Sequence, residues 1–237
     1  MTEHIVSAFE AELHSLGDKI SRMGGHAERQ LAQSVDALSR RDFELANQVI
    51  AADKQIDDIE TDIEEQAILM IARRQPMALD LRDIMAAIRI SADLERIGDL
   101  AKNIAKRVLA IGADAHPQRL VRGVEHMSEL AMSQLKNVLD AYSARDAAKA
   151  IAVWKSDEEI DAMYTSLFRE LLTYMMEDPR NITPCTHLLF AAKNIERIGD
   201  HTTNIAETIH FLVHGKSMED ERPKSDESSL TSVEYKG

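Results

Sequence analysis

Cysteine occurs once in these 237 residues, at Cys185. An intramolecular disulfide needs two cysteines and a thiolate zinc site needs several, so neither can form. A lone thiol fits a reducing compartment. Glycine and proline are scarce, at 9 and 5, and aromatic residues make up only 4%. Sandwiches, barrels and glycine-rich phosphate cradles draw on all three, so their shortage favours long helices. No stretch approaches the ~20 apolar residues of a membrane span. The opening MTEHIVSAFEAELHSLGDKI has neither the basic start nor the apolar centre of a signal peptide. The expectation is a cytoplasmic protein that meets a membrane only through partners. Basic charge is also short. Lys and Arg total 28 against 41 Asp and Glu, a net charge of −13. Phosphates would repel such a surface, which argues against nucleic acid as a partner.

What is present is helical periodicity. Hydrophobic residues reach 44%, enough for a real core, and the 11 methionines suit irregular gaps between helices. Phe9, Leu13, Leu16, Ile20, Met23, Ala27, Ser34 and Leu38 form a heptad-like seam that weakens at Arg40, Arg41 and Asp42. A second helix is predicted over 43–74, ended by Pro76. A third spans 78–111, and the segment from Gly112 to Pro117 punctuates the chain. The plan then recurs, with helices over 118–142, 146–177 and 184–214, and Gly215 as the final stop. The expected fold class is all-α: two antiparallel three-helix bundles, over 1–112 and 116–215. The polar residues 216–237 are expected to form a disordered tail.

The halves are related in sequence. Glu95-Arg96-Ile97-Gly98-Asp99 recurs as Glu196-Arg197-Ile198-Gly199-Asp200, and Asn103-Ile104-Ala105 as Asn204-Ile205-Ala206. Ser39, Arg41 and Asp42 match Ser143, Arg145 and Asp146. Asp53, Ile56 and Asp57 match Asp157, Ile160 and Asp161. Duplication of a three-helix unit explains all four blocks.

The repeated carboxylates are the candidate chemistry. Glu95 and Asp99 lie one helical turn apart beside the apolar seam, with Asn103 a further turn on. Glu196, Asp200 and Asn204 copy them. Asp53 with Asp57, and Asp157 with Asp161, have the same spacing. Folding each half as a hairpin about Pro76, or about the junction of Asp178 and Pro179, brings four carboxylates to one level. Like charges at close range repel, and a cation is one remedy. Oxygen-only ligands suit hard ions such as Mg²⁺, Mn²⁺, Ca²⁺ or iron. The competing reading is a solvated acidic stripe balanced by Arg96 and Arg197. Gly98 and Gly199 sit inside these helices, where glycine costs ~1 kcal/mol against alanine, which points to close backbone approach or room for a ligand, against helix–helix packing alone.

Other chemistries find little support. A di-iron bundle needs two Glu-x-x-His motifs, and only Glu207 with His210 qualifies. His201, beside the second motif, reads as an ordinary, partly exposed helix residue. No nucleophile elbow, phosphate-cradling loop or Cys–His arrangement stands out, and Cys185 reads as a packed helix-start residue. Asp80, Leu81, Arg82 and Arg180, just past the two turns, form a candidate polar contact surface, against a plain helix-start charge pattern.

The duplicated ERIGD…NIA motif, the segment Leu172-Thr173-Tyr174-Met175-Met176-Glu177-Asp178 and the turn Leu79-Asp80-Leu81-Arg82 resemble the PhoU family of bacterial phosphate-uptake regulators. The resemblance covers about residues 5–215. It implies two similar three-helix bundles and a cytoplasmic protein that is not an enzyme. It further implies a negative regulator of the phosphate-starvation response. Such a protein couples the ATPase subunit of an ABC phosphate transporter to the sensor domain of a PhoR-type histidine kinase, and limits uptake. It implies a homodimer or higher oligomer. Some members bind metal through Glu/Asp-x-x-x-Asp motifs, which map onto Glu95, Asp99, Glu196 and Asp200, with Asp53, Asp57, Asp157 and Asp161 on the same pattern. No organic cofactor is implied. The alternatives are a metal-storage protein or carboxylate-bridged enzyme, and a permease accessory protein without a kinase partner.

Overall fold

The computed structural model describes residues 2–112 and 118–219. Residues 113–117 and most of the expected tail, 220–237, lie outside the described residues. Among the described residues there is no strand. The helices are α1 (Thr2–Arg40), α2 (Phe43–Ala52), α3 (Lys54–Arg74), α4 (Leu79–Ile111), α5 (Gln118–Ala144), α6 (Ala147–Lys155), α7 (Asp157–Glu177) and α8 (Ile182–His214). The protein is all-α, built on the six expected helical segments, of which the second and fifth are each interrupted.

Those interruptions have a local cause. At Asp53 the Ile56 amide bonds back only three residues, to the Asp53 carbonyl at 2.9 Å, tightening the turn between α2 and α3. Between α6 and α7 the Ser156 carbonyl takes a 2.9 Å bond from Gln134 Nε2 on α5. Neither event leaves a mark in the hydrophobic periodicity, which continues through both.

The repeated Arg–Asp pair after each first helix proves to be a turn. Arg41 and Arg145 both adopt left-handed backbone, at φ 56° and 52°. Asp42 and Asp146 then cap the next helices, accepting from the amides of Leu45 at 2.9 Å and Lys149 at 3.0 Å. The turn at Pro76 uses positive φ at Gln75 and Ala78. The second turn is a short 3₁₀ helix, Pro179–Asn181, capped by Asp178. Gly215 ends α8 at φ 71°.

Within each repeat the first helix runs alongside the last, with the middle segment antiparallel between them. Lys19 meets Asp62 at 2.7 Å and Glu12 meets Arg74 at 3.0 Å, which fixes the direction of α3 against α1. The expected seam is the core: Leu16, Ile20, Met23, Ala27 and Leu38 are buried, as are Ile56, Ile63, Leu94, Ile97 and Ile104. Cys185 is fully buried near the start of α8, as expected, and burial raises its thiol pKa.

The two repeats pack through α4 against α8 and α1 against α5, both pairs antiparallel. Arg82 lies against Gly215 at one end of the α4–α8 pair. At the other end the Arg107 guanidinium stacks 4.6 Å over the Phe190 ring. Midway, Asp93 Oδ1 sits 2.9 Å from His201 Nδ1 and accepts from Asn204 Nδ2 at 3.2 Å. Ile97 is fully buried in the first repeat's core on α4. Ile97→Ala should therefore lower unfolding free energy by about 2–4 kcal/mol in urea titration, without changing the far-ultraviolet helical signal of the folded protein.

Candidate functional site

The hairpin geometry expected from the sequence is present in both repeats. In the first, Asp53 on α3's leading edge reaches α4 at Gly98 and Lys102. Burial and then the nearby Asp99 hold Glu95 above the usual carboxylate range. Burial and then Asp53 do the same for Asp57. Glu60, which sequence reasoning passed over, belongs to the row as well. Burial and the charges of Glu95, Glu64 and Asp57 push it up to about 7. Its signal was available, since Glu60 follows Asp57 by three residues on the same helical face.

In the second repeat Asp157, Asp161 and Glu196 are buried, at 2%, 4% and 6% exposure. Asp157 Oδ1 faces Gly199, 3.1 Å from where a Cβ would stand. The glycine therefore leaves room for an aspartate from the facing helix. Gly98 serves the same purpose against Ile56 Cδ1 and Gln30 Oε1, at 2.8 and 3.0 Å from the equivalent point. At both glycines the nearest atoms are side-chain atoms of facing helices, so packing between helices fills the space, not a second backbone. Lys193 Nζ pairs with Glu196 Oε1 at 2.9 Å, whereas Glu196 Oε2 is buried without a hydrogen-bond partner. Burial first, then Asp200 and Asp161, push Glu196 up to about 7 despite Lys193.

The two rows differ in their counter-charges. Lys102 on α4 bridges Asp53 and Asp99, the latter at 2.6 Å. Burial pulls its ammonium down, but its hydrogen bonds to Asp53 and Asp99 outweigh this and hold it above the usual lysine range. Arg96 lies 3.4 Å from Glu95 and 3.8 Å from Asp99, as the acidic-stripe reading expects.

In the second row Glu196 Oε2 is a buried oxygen without a hydrogen-bond donor, of the hard-oxygen kind a cation takes. In the first row Lys102 stands between the carboxylates, and the fit is poor. Among the described residues, no group of three or more His, Cys, Asp or Glu side chains is disposed to hold a metal ion.

Several other residues take structural roles. His201 is more than an ordinary exposed residue, and Asn204 does not extend the acidic row, because both reach Asp93 across the repeat boundary. Their partner lies 108 or more residues away. Glu207 accepts from the Trp154 indole at 3.0 Å, and His210 faces the Lys216 carbonyl. Asp80 lines a groove of about 580 Å³ between α1, α4, α5 and α8, beside Asp83, Tyr142 and Arg145. Arg180, 90% exposed, pairs with Asp178 at 2.7 Å near the start of α8. Antiparallel packing puts Asp80 and Arg82 at one end and Arg180 at the other, so they do not form one surface.

Comparison with known proteins agrees with this duplicated architecture. The PhoU domain matches twice, over residues 20–108 and 124–209. The chain belongs to the PhoU family. It is 62% identical to the phosphate-specific transport system accessory protein PhoU homolog of Rhizobium meliloti (strain 1021), across 95% of each chain. The homolog of the same description from Caulobacter vibrioides (strain NA1000 / CB15N) is 52% identical, over 95% of this chain and 98% of that one. The crystal structure of PhoU from Pseudomonas aeruginosa is 39% identical, with a TM-score of 0.82 over 88% of this chain and 100% of that one. The phosphate transport system regulatory protein PhoU from Streptococcus pneumoniae is 29% identical, with a TM-score of 0.83 over 89% of this chain and 99% of that one. Among the described residues of this PhoU-family chain, no helix is long and apolar enough to cross a membrane.

The raised Glu196 sets a pH dependence. Between the ordinary glutamate range and about 7 the folded state holds the proton more tightly than the unfolded chain. Stability contributed by that proton is present at low pH and is lost as pH rises through about 7. Glu196→Gln in chelator should therefore be more stable than the parent at pH 8 by about 1–2 kcal/mol, and close to it at pH 4.5. Urea titrations at both pH values check this.

Proposed function

We propose that this chain is an accessory and regulatory protein of phosphate-specific transport. It keeps the phosphate-starvation response off when phosphate is plentiful and limits uptake. Its partners are the ATPase subunit of an ABC phosphate transporter and the sensor domain of a PhoR-type histidine kinase. The observation that carries this reading is the doubled PhoU domain, together with 62% identity across 95% of a relative named for that transport system. The relatives' names describe accessory and regulatory proteins, which supports an adaptor rather than an enzyme.

Physically, an adaptor signals by differential affinity. A transporter state that binds this protein more tightly draws it away from, or toward, the kinase, and the shift equals the difference in binding free energy. The rigid helical scaffold favours such a role, because its binding faces cost little ordering on association. Self-association as a homodimer or higher oligomer, and residence in the cytoplasm, belong to the same reading.

A cation is part of the proposal for the second repeat. Glu196, with Asp200, Asp157 and Asp161 turned toward it, would hold a hard divalent or iron ion, which would supply charge neutralisation to a buried acidic row; as they stand, no three of them converge on one point. The orphaned Glu196 Oε2 supports this.

Deletion of the gene should raise alkaline phosphatase expression several-fold in phosphate-rich medium, and a plasmid copy should restore repression. Unchanged, low expression would sink the kinase-silencing role and favour a permease accessory protein without a kinase partner. In the same assay, Asp99→Asn with Asp200→Asn should weaken complementation if the acidic rows matter to signalling. Full complementation would make them purely structural.

A further inference from the structure

The repeats carry unlike residues at several equivalent positions, one of which governs the first row. Lys102 on α4 aligns with Thr203 on α8. The Thr203 hydroxyl donates to the backbone carbonyls of Asp200 at 2.7 Å and Gly199 at 3.4 Å, and so brings no charge to its row. Lys102 Nζ donates to Asp99 at 2.6 Å and to Asp53, which is only 4% exposed. A third helix enters the same space. Gln30 on α1 is 3% exposed, and neither of its amide atoms has a hydrogen-bond partner. Its Oε1 lies 3.0 Å, and Asp53 Oδ1 3.5 Å, from the point where a Cβ at Gly98 would stand. Carboxylate oxygens from the start of α3 and from α4 thus meet one ammonium, with the Gln30 carbonyl from α1 close to Asp53 beside Gly98.

We propose that Lys102 is the resident cation of the first repeat: its ammonium stands where a hard metal ion would otherwise bridge Asp53 and Asp99, and it keeps that repeat from taking up a metal ion. This deepens the cation reading of the second repeat but concerns the opposite one. A tethered ammonium loses no translational freedom on binding, whereas a free ion does and must also be dehydrated. An entering divalent ion would have to displace Lys102 and then sit beside its displaced positive charge. Removing Lys102 leaves two aspartates and the unpartnered Gln30 carbonyl, a hard-oxygen set of the kind Mn²⁺ or Mg²⁺ accepts. The duplicated motif therefore marks two unequal sites, one closed by its own lysine.

The test is a count. The purified full chain and its Lys102→Thr variant are stripped with chelator, dialysed against Mn²⁺ and assayed for bound metal by mass spectrometry. The variant should hold one more Mn²⁺ per chain than the parent. In chelator its melting temperature should fall by about 3–6 °C, and Mn²⁺ should restore it. Equal metal counts in the two proteins would overturn the proposal. The parent's own count reports on the second repeat. A parent that binds nothing removes the cation reading of that repeat, yet the difference between the two proteins still decides the role of Lys102.

A readout on the parent alone covers a variant that fails to fold. Lys102 acetylation by acetic anhydride is followed by peptide mapping, with and without saturating Mn²⁺. Labelling at Lys102 should stay low in both. A several-fold rise with Mn²⁺ would mean that metal ejects the lysine, and would overturn the proposal.

Discussion

The packing of α4 against α8 is the constraint on which the rest of the structure depends. Each helix is the last of its repeat and presents apolar side chains to its own bundle. Each also buries a second face against the other. Ile97, Leu100, Ala101, Ile104 and Ala105 on α4 are buried, as are Ile195, Ile198, Ile205, Ala206 and Ile209 on α8. A helix with so much buried surface cannot rotate without exposing part of it. The polar contacts among Asp93, His201 and Asn204 then fix the register of the pair. With that pair held, each hairpin has one place to fold back, and the carboxylate rows follow.

Those rows show how a helical protein tolerates acidic charge close to its core. Asp53 is buried and answered by Lys102, at the junction of two helices. In the second repeat three acids are buried, and Glu196 is pushed toward neutrality at physiological pH. One row is closed by a covalently attached cation, whereas the other keeps a buried oxygen without a donor. Gene duplication supplied two copies of one frame, and charge differences at aligned positions, Lys102 against Thr203 and Ala92 against Lys193, gave them different electrostatics. An adaptor with two unlike repeats can present different surfaces to different partners, in keeping with the proposed role between a transporter and a kinase.

The sequence was most legible where an element's fate is set by its neighbours along the chain. Helix limits at Arg40, Arg74, Ile111 and His214 follow from capping aspartates, Pro76 and glycines that accept positive φ. The hairpin register was readable too, because helices of equal rise on either side of a short turn pair residues equidistant from it. Gly98 and Gly199 announced tight packing, and side chains of the facing helices fill the space beside both. The breaks at Asp53 and Ser156 were not legible, since the 3.6-residue pattern runs through them and the Ser156 carbonyl is claimed by Gln134 from another helix. Nor was the role of His201, which depends on Asp93 across the repeat boundary.

The sequence by itself determined the helices, their turns, the duplication and the residues that make up the acidic rows. These depend on local hydrogen bonding and on a repeat written in the chain. Only the tertiary structure decided which lysine answers which acid, which carboxylate oxygen is orphaned, and that Asp80 and Arg180 lie at opposite ends. Charge pairing depends on distance across helices, and burial sets how strongly it acts. Neither quantity is carried by spacing along one strand of sequence.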